Sequence, residues 1–462
     1  MTHTEKIADL IFRANRETLP DEVIRQAKVV LMDTIGVGLG GYCTNVGKQI
    51  VAMARRFPHP GGASLIGDGT RVSEVFACWA NSCQSNLMDM DETFSGTAHM
   101  GNCVVPTALG IGEATQAPGK EVLQALVLGF EVGSRIMRYL WPSPKKGVRA
   151  YLPSTWQVLS AATTAGKLLR LTREEMVHAF GLAGTVPPVP LDMKKFVERP
   201  MGFGKNVFGW TTLTGVFWTQ MAKMGMQGTP NIFDGDAGFW TIVGSDQCHF
   251  EKLSEGWGEK YNILDTKFKP YPSCTWGHSS IDATKKIVEQ HRINPEEVEE
   301  IRIKTLDRAA QFLSDTKIET IFDAQFSLPY ALAMLLLNHK AGPEWMSEEN
   351  MFRNEKARTI AQKVKIKVDP DAEELFSRES GEAMLSTVEI QTTGGKVLAE
   401  RVKYPKGSPR NPFTPEELTD KFQTIASSLF SKKRIEQVLD AINRFEKLEN
   451  VATFMDLLRA GK

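Results

Sequence analysis

Residues 81–106 gather four ionisable side chains of types that carry out proton chemistry. Asp89, Asp91, Glu92 and His99 fall within eleven positions, among small, apolar and amide residues. A histidine beside a carboxylate can accept or donate a proton near neutral pH, because the carboxylate orients the ring and tunes its charge. Short acidic runs are also common as solvated helix caps, and many histidines have only a structural role. Spacing alone therefore makes this stretch an active-site candidate and leaves both interpretations open.

The flanking residues predict two helices that would hold this stretch in place. Residues 72–88 have helix-compatible apolar spacing, which puts the acids at a helix end or just beyond it. Residues 94–98 are predicted as loop, and residues 104–110 as the start of a second helix with Pro106 in its first turn. His99 is therefore predicted at a loop-to-helix junction, where an imidazole can face a cavity while both helices hold it still.

Composition excludes several classes of protein. The 462 residues are enough for two or three domains, and contents of 42% apolar and 24% charged residues are those of a globular protein. The 55 basic and 55 acidic residues balance, so the charge expected of a nucleic-acid-binding protein is missing. No apolar run is long enough to cross a bilayer, and the first residues lack a signal-peptide layout. We expect a cytoplasmic protein with neither a nucleic-acid nor a membrane partner.

Two further patterns favour packing over cofactor binding. The six cysteines form no CxxC motif, and Cys78 and Cys83 lack a second pair that would complete a zinc site, so most are predicted to be buried thiols. The glycine-rich run 33–41 follows a predicted helix at 21–32, whereas a dinucleotide-binding loop follows a strand. We interpret its small residues as a site of close helix packing.

Two loops carry polar residues that a purely structural role explains less well. Residues 187–228 begin as a proline- and glycine-rich loop in which Lys205 lies among apolar neighbours, so that its charge needs a partner or a ligand. Lys194 and Lys195 in the same loop are explained by solvent exposure. Near residue 270, Cys274 and His278 lead into a predicted helix, whose free backbone donors favour carboxylate or phosphate groups.

The periodicity of the chain predicts its architecture. Up to about residue 295 it is a succession of helices with no predicted strand, whereas residues 298–305, 364–368, 387–391 and 396–402 alternate as strands do, the last two as a hairpin. The predicted fold class is mainly α with an α+β part. A large all-helical domain comprises residues 1–265, completed by 406–462, and a smaller α+β lid domain comprises residues 266–405.

Several of these motifs together resemble the MmgE/PrpD family, which contains 2-methylcitrate dehydratase, cis-aconitate decarboxylase and iminodisuccinate epimerase. The motifs are LMDTIGVGLGG at 31–41, the run from Asp89 to His99 leading to VVPTALGIGEA, KPYPSCTWGHSSIDA from Lys269, and DAQFSLPYALA from Asp323. The resemblance implies a helical domain with an α+β lid, a homodimer, and a site without cofactor or metal in the cleft between the domains.

The resemblance also implies individual site residues. Asp89 and His99 match the family's acid and histidine ten positions apart, and Lys205 lies at, or one position from, its active-site lysine. Lys269 matches the lysine that opens the KPYP-type motif.

On the lid, His278 matches a histidine further along the same motif, and Tyr330 resembles a site tyrosine. Cys274 stands where the decarboxylase branch has a histidine and many dehydratase-like members have cysteine. The family often has a histidine where this chain has Leu152, which cannot transfer a proton, so Tyr151 is the predicted replacement.

The chemistry shared by the family is proton removal beside a carboxylate, followed by loss of water, loss of carbon dioxide, or reprotonation. We expect Asp89 to orient His99, His99 to handle the proton, Lys205 and Lys269 to bind carboxylates, and Tyr151 to act as partner acid or base. The leading expectation is a hydro-lyase resembling 2-methylcitrate dehydratase. An epimerase or isomerase, a cis-aconitate-type decarboxylase, and a carboxylate-binding protein without catalytic activity are the alternatives.

Overall fold

The computed structural model describes residues 1–14, 19–95, 98–143, 152–189, 199–202, 208–242, 244–379 and 381–460. The fold is mainly α with an α+β part, as the sequence predicted. Up to residue 242 the described helices are α1 His3–Ala14, α2 Asp21–Cys43, α3 Asn45–Ala54, α4 Glu74–Asn86, α5 Gly101–Ala114, α6 Gly119–Tyr139, α7 Leu152–Leu168, α8 Arg173–Thr185, α9 Phe208–Lys223 and α10 Phe239–Ile242.

The remaining described helices are α11 His278–His291, α12 Asp307–Phe312, α13 Ile321–Gln325, α14 Leu328–Leu336, α15 Glu355–Gln362, α16 Pro370–Arg378, α17 Pro415–Ala426, α18 Lys432–Asn443 and α19 Ala452–Met455. Local sequence signals begin several of them. Thr172 starts α8 with the predicted capping box, in which its hydroxyl accepts from Glu175 N and the Glu175 carboxylate accepts from Thr172 N.

Helix α2 continues through the glycine-rich run instead of ending near residue 32. The run confirms the packing interpretation, because a Cβ at Gly41 would come within 2.1 Å of the Gln84 carbonyl oxygen on α4. A Cβ at Gly40 would meet the Met88 side chain at 2.3 Å. The glycines thus bring α2 against α4 and the turn that follows it, which carries the acidic residues.

The prediction that no strand precedes residue 295 was wrong. Strands β1 Pro58–Ser64 and β2 Arg71–Val72 form a short antiparallel pair. β1 has no apolar alternation that could have predicted it. Side chains of the helical body hold it: Asn81 Nδ2 donates to the Ser64 carbonyl at 3.0 Å, and the Ser64 hydroxyl donates to Glu113 at 2.7 Å.

The predicted strands of the lid are confirmed. β3 Val298–Thr305, β4 Val364–Val368, β5 Ser386–Thr392 and β6 Val397–Val402 form one sheet in the order β4-β3-β5-β6. β4 runs parallel to β3, and the β5–β6 hairpin is antiparallel. Helix α11, which begins four positions after Cys274, packs on β5 and β6, so the sheet fixes the direction of that helix.

The C-terminal helices return to the helical body. Helices α17 and α18 pack on α2, and the ring of Phe422 lies so close to Gly36 that a Cβ there would be 2.8 Å from it. The domain limits at 265/266 and 405/406 stay a prediction. No single described helix has the length and apolarity to cross a membrane; α2 and α3, bent by 96° at their junction, meet those criteria only as a pair.

Candidate active site

The acidic residues lie in a buried turn between α4 and α5, which we call the acid turn (residues 87–95). As predicted, the acids follow the end of α4 and His99 precedes the start of α5. That helix begins at Gly101, so Pro106 lies inside it and not in its first turn. Asp89 has a φ of 52°, a left-handed conformation that aspartate tolerates better than most residues. The side chains of Asp91 and Glu92 are fully buried.

The carboxylate beside the imidazole of His99 is that of Asp91. His99 Nδ1 lies 3.0 Å from Asp91 Oδ2, without the alignment of a linear hydrogen bond. Such contacts are often loosely aligned before a substrate binds. The amides of Asn86 and Asn102 donate to Asp91 at 3.0–3.1 Å and hold the carboxylate in place. The contact with Asp91 adds an orienting carboxylate that the sequence placed in the cluster without giving it a role, and the orienting role expected of Asp89 stays a prediction.

Neighbouring elements fix the ring and backbone of His99. The side-chain amide of Gln157 on α7 donates to the His99 carbonyl at 2.7 Å. The ring of Phe208, at the start of α9, packs edge-on against the imidazole with 5.6 Å between ring centroids. His99 is only 5% exposed. Two helices thus set the position of a histidine that a carboxylate contacts.

Two buried lysines hold the backbone of the acid turn from different elements. Lys269 Nζ donates to Asp89 Oδ1 at 2.5 Å and to the Asp89 carbonyl at 2.9 Å. Lys421 Nζ, on α17, donates to Asp33 Oδ1 at 2.5 Å and to the Met90 carbonyl at 2.8 Å. The carbonyls of two consecutive residues each accept from a lysine, so both ion pairs constrain the conformation of the turn.

Burial shapes the charges around the turn. It raises the pKa of Asp33, although Lys421 opposes that shift. Burial, reinforced by the charge of Asp91, raises the pKa of Glu92 well above the ordinary range, although Gly101 N donates to its carboxyl. Desolvation disfavours the charged form of a carboxyl, so the protonated form of Glu92 is favoured.

The lid supplies the other predicted residues. Cys274 is buried, and its backbone N–H donates to the Gln325 carbonyl at 2.9 Å. His278 lies at the start of α11 with Nε2 3.0 Å from the Ser273 carbonyl, and burial lowers its pKa to about 3. The neutral ring of His278 thus supports the turn that carries Cys274. The Tyr330 hydroxyl donates to the Trp345 carbonyl within the lid. Substrate contacts by these three residues stay a prediction.

Tyr151 and Lys205 lie outside the described residues, as do Lys194 and Lys195, and the side chain of Leu152 is not described either. Of the eight predicted site residues, the structure brings Asp89, His99 and Lys269 together at the acid turn. It places Cys274 and His278 on the adjoining lid segment.

A metal ion would have to compete with cations and amide donors already present. The ligand atoms of Asp89, Asp91 and His99 lie within 4.8 Å of one another, which is close enough to bind one ion. However, the ammonium of Lys269 contacts Asp89, and two amide donors contact Asp91. A cation beside a carboxylate opposes the binding of a second cation. The arrangement suits proton transfer better than metal binding.

Sequence reasoning missed Asp33 and Lys421, although one signal could have indicated the lysine. Leu418, Phe422 and Ile425 form the buried stripe of α17, and Lys421 falls on the same stripe. A lysine on the apolar face of a helix needs a buried partner. The identity of that partner, 388 positions earlier in the chain, could not be read from spacing.

Comparison with known proteins shows the family of the chain. The sequence model of the MmgE/PrpD N-terminal domain matches residues 5–251, and that of the MmgE/PrpD C-terminal domain matches residues 271–444. The chain belongs to the MmgE/PrpD family.

Curated relatives of this protein align along nearly its whole chain. The cis-aconitate decarboxylases of Mus musculus and Homo sapiens are 24% and 23% identical over 99% of this chain, covering 93% and 94% of their own lengths. That of Aspergillus terreus strain NIH 2624 / FGSC A1156 is 22% identical over 96% of this chain and 93% of its own length. At the coarse level, the family and these relatives support a lyase.

Proposed function

We propose that the protein is a cofactor-independent lyase that removes a proton beside a carboxylate of a small di- or tricarboxylic acid. The observation that carries this proposal is the contact of His99 with Asp91 at 3.0 Å, next to the ion pair of Lys269 and Asp89. A base with an orienting carboxylate and a nearby cation are what proton abstraction beside a carboxylate requires.

In the proposed reaction, His99 accepts the proton from the carbon and Asp91 stabilises the imidazolium that results. The electron pair left on carbon delocalises into the neighbouring substrate carboxylate, whose added charge Lys269 and the predicted Lys205 neutralise. In a dehydration, the hydroxyl group on the adjacent carbon leaves with its bonding pair and takes a proton from an acid. Tyr151 is the predicted acid. The products are an unsaturated acid and water.

Dehydration is the leading candidate because of two residue differences. Cys274 occupies a position at which the decarboxylase branch of the family has a histidine. Leu152 occupies another position at which a histidine is frequent in the family. Decarboxylation is the second candidate, because the curated relatives are named cis-aconitate decarboxylases. In that reaction the carbon–carbon bond breaks, carbon dioxide leaves without the bonding pair, and an acid protonates the remaining carbon. Epimerisation would need the same base and a second proton donor.

Proton NMR in deuterium oxide would distinguish these reactions in one experiment. The purified full chain is incubated with 2-methylcitrate, citrate, cis-aconitate or iminodisuccinate. The proton signals of an unsaturated acid formed from citrate or 2-methylcitrate indicate dehydration, and those of an acid with one carboxyl group fewer formed from cis-aconitate indicate decarboxylation. Deuterium at a carbon beside a carboxylate, without a new product, indicates proton exchange. We expect at least one acid of this panel to react.

The matched variants are His99→Gln and His291→Gln, the second at an exposed position on α11. Turnover should fall by roughly 100-fold or more in His99→Gln and stay at the wild-type level in His291→Gln. Full turnover by folded His99→Gln protein would contradict the proposal that His99 accepts the proton. A wild-type protein that leaves the whole panel unchanged would contradict the proposed substrate class.

A homodimer is part of this proposal, and sedimentation equilibrium should then give twice the chain mass of 51.4 kDa. The cytoplasmic location stays a prediction from the sequence.

A further inference from the structure

A cleft of about 800 Å³ lies between the helical body and the lid. It is a different site from the cluster of catalytic candidates in the acid turn. Its walls come from α2, the end of α6, residues 264–268, α12, α16 and residues 407–418. Asp89, Asp91 and His99 do not line it. The volume is that of a typical small-molecule site, which spans about 300–1,000 Å³. The cleft is therefore large enough to hold a ligand of its own.

Three basic and two acidic side chains line this cleft, and two of the basic ones lack a carboxylate partner. The carboxylates are already engaged: Arg138 lies 3.4 Å from Asp265, and Glu382 lies 3.8 Å from an arginine outside the cleft. Within the part of the chain that the structure describes, neither Lys267 nor Arg308 has a carboxylate oxygen within 4.0 Å. The lining consequently has two positive charges that no carboxylate of the described residues contacts directly.

The surroundings of both cations are partly apolar. The guanidinium of Arg308 lies over the rings of Trp276 and Phe376, 5.4 and 4.5 Å from their centroids. Lys267 is half-buried, and burial lowers its pKa although Glu382 and Asp265 oppose this. A cation withdrawn from water without a partner is unfavourable. An incoming anion would compensate positive charge in this cleft.

The cleft also offers flat apolar walls. Phe94 from the acid turn, Trp276 and Phe376 from the lid, and Phe413 from the C-terminal segment all line it. Ser408 lines it too, and its buried hydroxyl has no hydrogen-bond partner among the described residues. Aromatic rings beside an arginine suit a ligand that stacks through a ring and is anchored by its charge.

We propose that this cleft binds a small aromatic anion, a planar ring that carries a carboxylate or phosphate group. Arg308 and Lys267 bind the anionic group, and the aromatic side chains contact the ring. This site is separate from the one used in the proposed function, and it favours a different class of ligand, because the acids proposed there are not aromatic.

The cleft contacts the same chain segments that carry active-site candidates. The backbone of Lys267 pairs with that of Thr93 in the acid turn at 2.8 and 2.9 Å, and Lys269 follows two positions later. Trp276 follows Cys274 by two positions. A smaller cavity has Lys267, Ser408, Lys269 and His278 among its lining residues. A ligand in the cleft would therefore touch segments of both the body and the lid.

Isothermal titration calorimetry of the full chain with phenyl phosphate tests the proposal. We expect saturable binding with a Kd on the order of 1 mM or tighter. Inorganic phosphate, which has the charge without the ring, and benzyl alcohol, which has the ring without the charge, should each bind at least tenfold more weakly. Absence of saturable binding to the wild-type protein, or equal affinity for all three probes, would overturn the proposal.

Variants locate the bound probe. Arg308→Gln and Lys267→Met should each weaken phenyl phosphate binding about tenfold or more, whereas Arg353→Gln, which removes an exposed arginine elsewhere on the lid, should not. Because two residues are tested, a variant that does not fold leaves the other to decide. If folded Arg308→Gln and Lys267→Met proteins bind phenyl phosphate with wild-type affinity, the proposed location of the binding site is wrong.

His99→Gln separates this proposal from the proposed function. Calorimetry needs no turnover, so the cleft can bind the probe even if the protein is not a lyase. His99→Gln should bind phenyl phosphate with wild-type affinity. Loss of binding in folded His99→Gln protein would place the probe at the acid turn and contradict a separate cleft site.

Discussion

Two pairs of cations in neighbouring parts of this protein have opposite surroundings. Lys269 and Lys421 are buried, and each contacts both a carboxylate and a backbone carbonyl of the acid turn or beside it. Lys267 and Arg308 line the cleft without a carboxylate partner in the described part of the chain. Lys267 is separated from Lys269 by a single residue, so sequence position does not decide which kind of environment a cation occupies.

The difference indicates two uses of positive charge, and the role proposed for Lys269 in neutralising the substrate is in addition to the first of them. A buried ion pair that also donates to the backbone fixes a conformation, and removing one partner leaves an uncompensated charge. A cation that is partly exposed over aromatic rings contributes little to folding and stays available to a ligand. Substitutions that remove a charge from each pair should therefore have very different effects on stability and on binding.

The largest effect is expected for Lys421→Met. It leaves Asp33 buried without a counter-ion and frees the Met90 carbonyl, so the free energy of unfolding should fall by about 3–5 kcal/mol in urea titrations. Lys433→Met, at an exposed position on α18, serves as the matched control and should change it by less than about 0.5 kcal/mol.

The double variant Asp33→Asn/Lys421→Met tests the ion pair itself. Because both charges are removed together, it should be more stable than Lys421→Met alone. A double variant that is as unstable as the sum of the two single variants would show that Lys421 acts by packing and not by charge.

Asp91→Asn should have the next largest effect, on catalysis. An amide cannot stabilise the imidazolium of His99, and its NH₂ group opposes the donors of Asn86 and Asn102, so kcat/KM should fall by roughly 100-fold. Asp440→Asn, which alters an exposed ion pair on α18, should keep wild-type activity. Equal activity of the two variants would exclude an Asp91–His99 catalytic pair.

Glu92→Gln should change how stability depends on pH. The pKa of Glu92 is raised in the folded protein, so its contribution to stability is present below the unfolded pKa of about 4.3 and is lost as pH rises through the folded pKa. Relative to wild type, Glu92→Gln should thus gain stability with rising pH from about 4.5, by at most about 1.4 kcal/mol per pH unit.

Urea titrations of Glu92→Gln at several pH values, with Glu416→Gln at an exposed helix start as control, measure this dependence. A stability difference between Glu92→Gln and wild type that does not vary with pH would mean that Glu92 is ionised in the folded protein.

The smallest effect on stability is expected for Arg308→Gln. It removes two cation–π contacts and no ion pair, so the free energy of unfolding should change by less than about 1 kcal/mol in the same titrations. If Arg308→Gln lowered the free energy of unfolding as much as Lys421→Met does, the two pairs of cations would not differ in their contribution to stability. Arg308 would then be a structural residue.

Local patterns predicted much of this fold. Apolar periodicity located the helices around the acid turn, and alternation located the four strands of the lid. The same rules missed β1, because that strand depends on the distant side chains of Asn81 and Glu113. They also ended α2 too early, since a glycine run weakens helix propensity locally while packing against α4 restores the helix.

The sequence by itself predicted that Asp89, Asp91, Glu92 and His99 would lie between two helices, because apolar periodicity locates a helix on each side of them. Only the tertiary structure decided their partners: Asp91 for His99, Lys269 for Asp89, and Lys421 from α17 for Asp33. Spacing cannot encode such pairings, since a buried charge is satisfied by whichever element packs against it, however distant in the chain. The same packing left Lys267 and Arg308 facing a cleft without a carboxylate partner among the described residues.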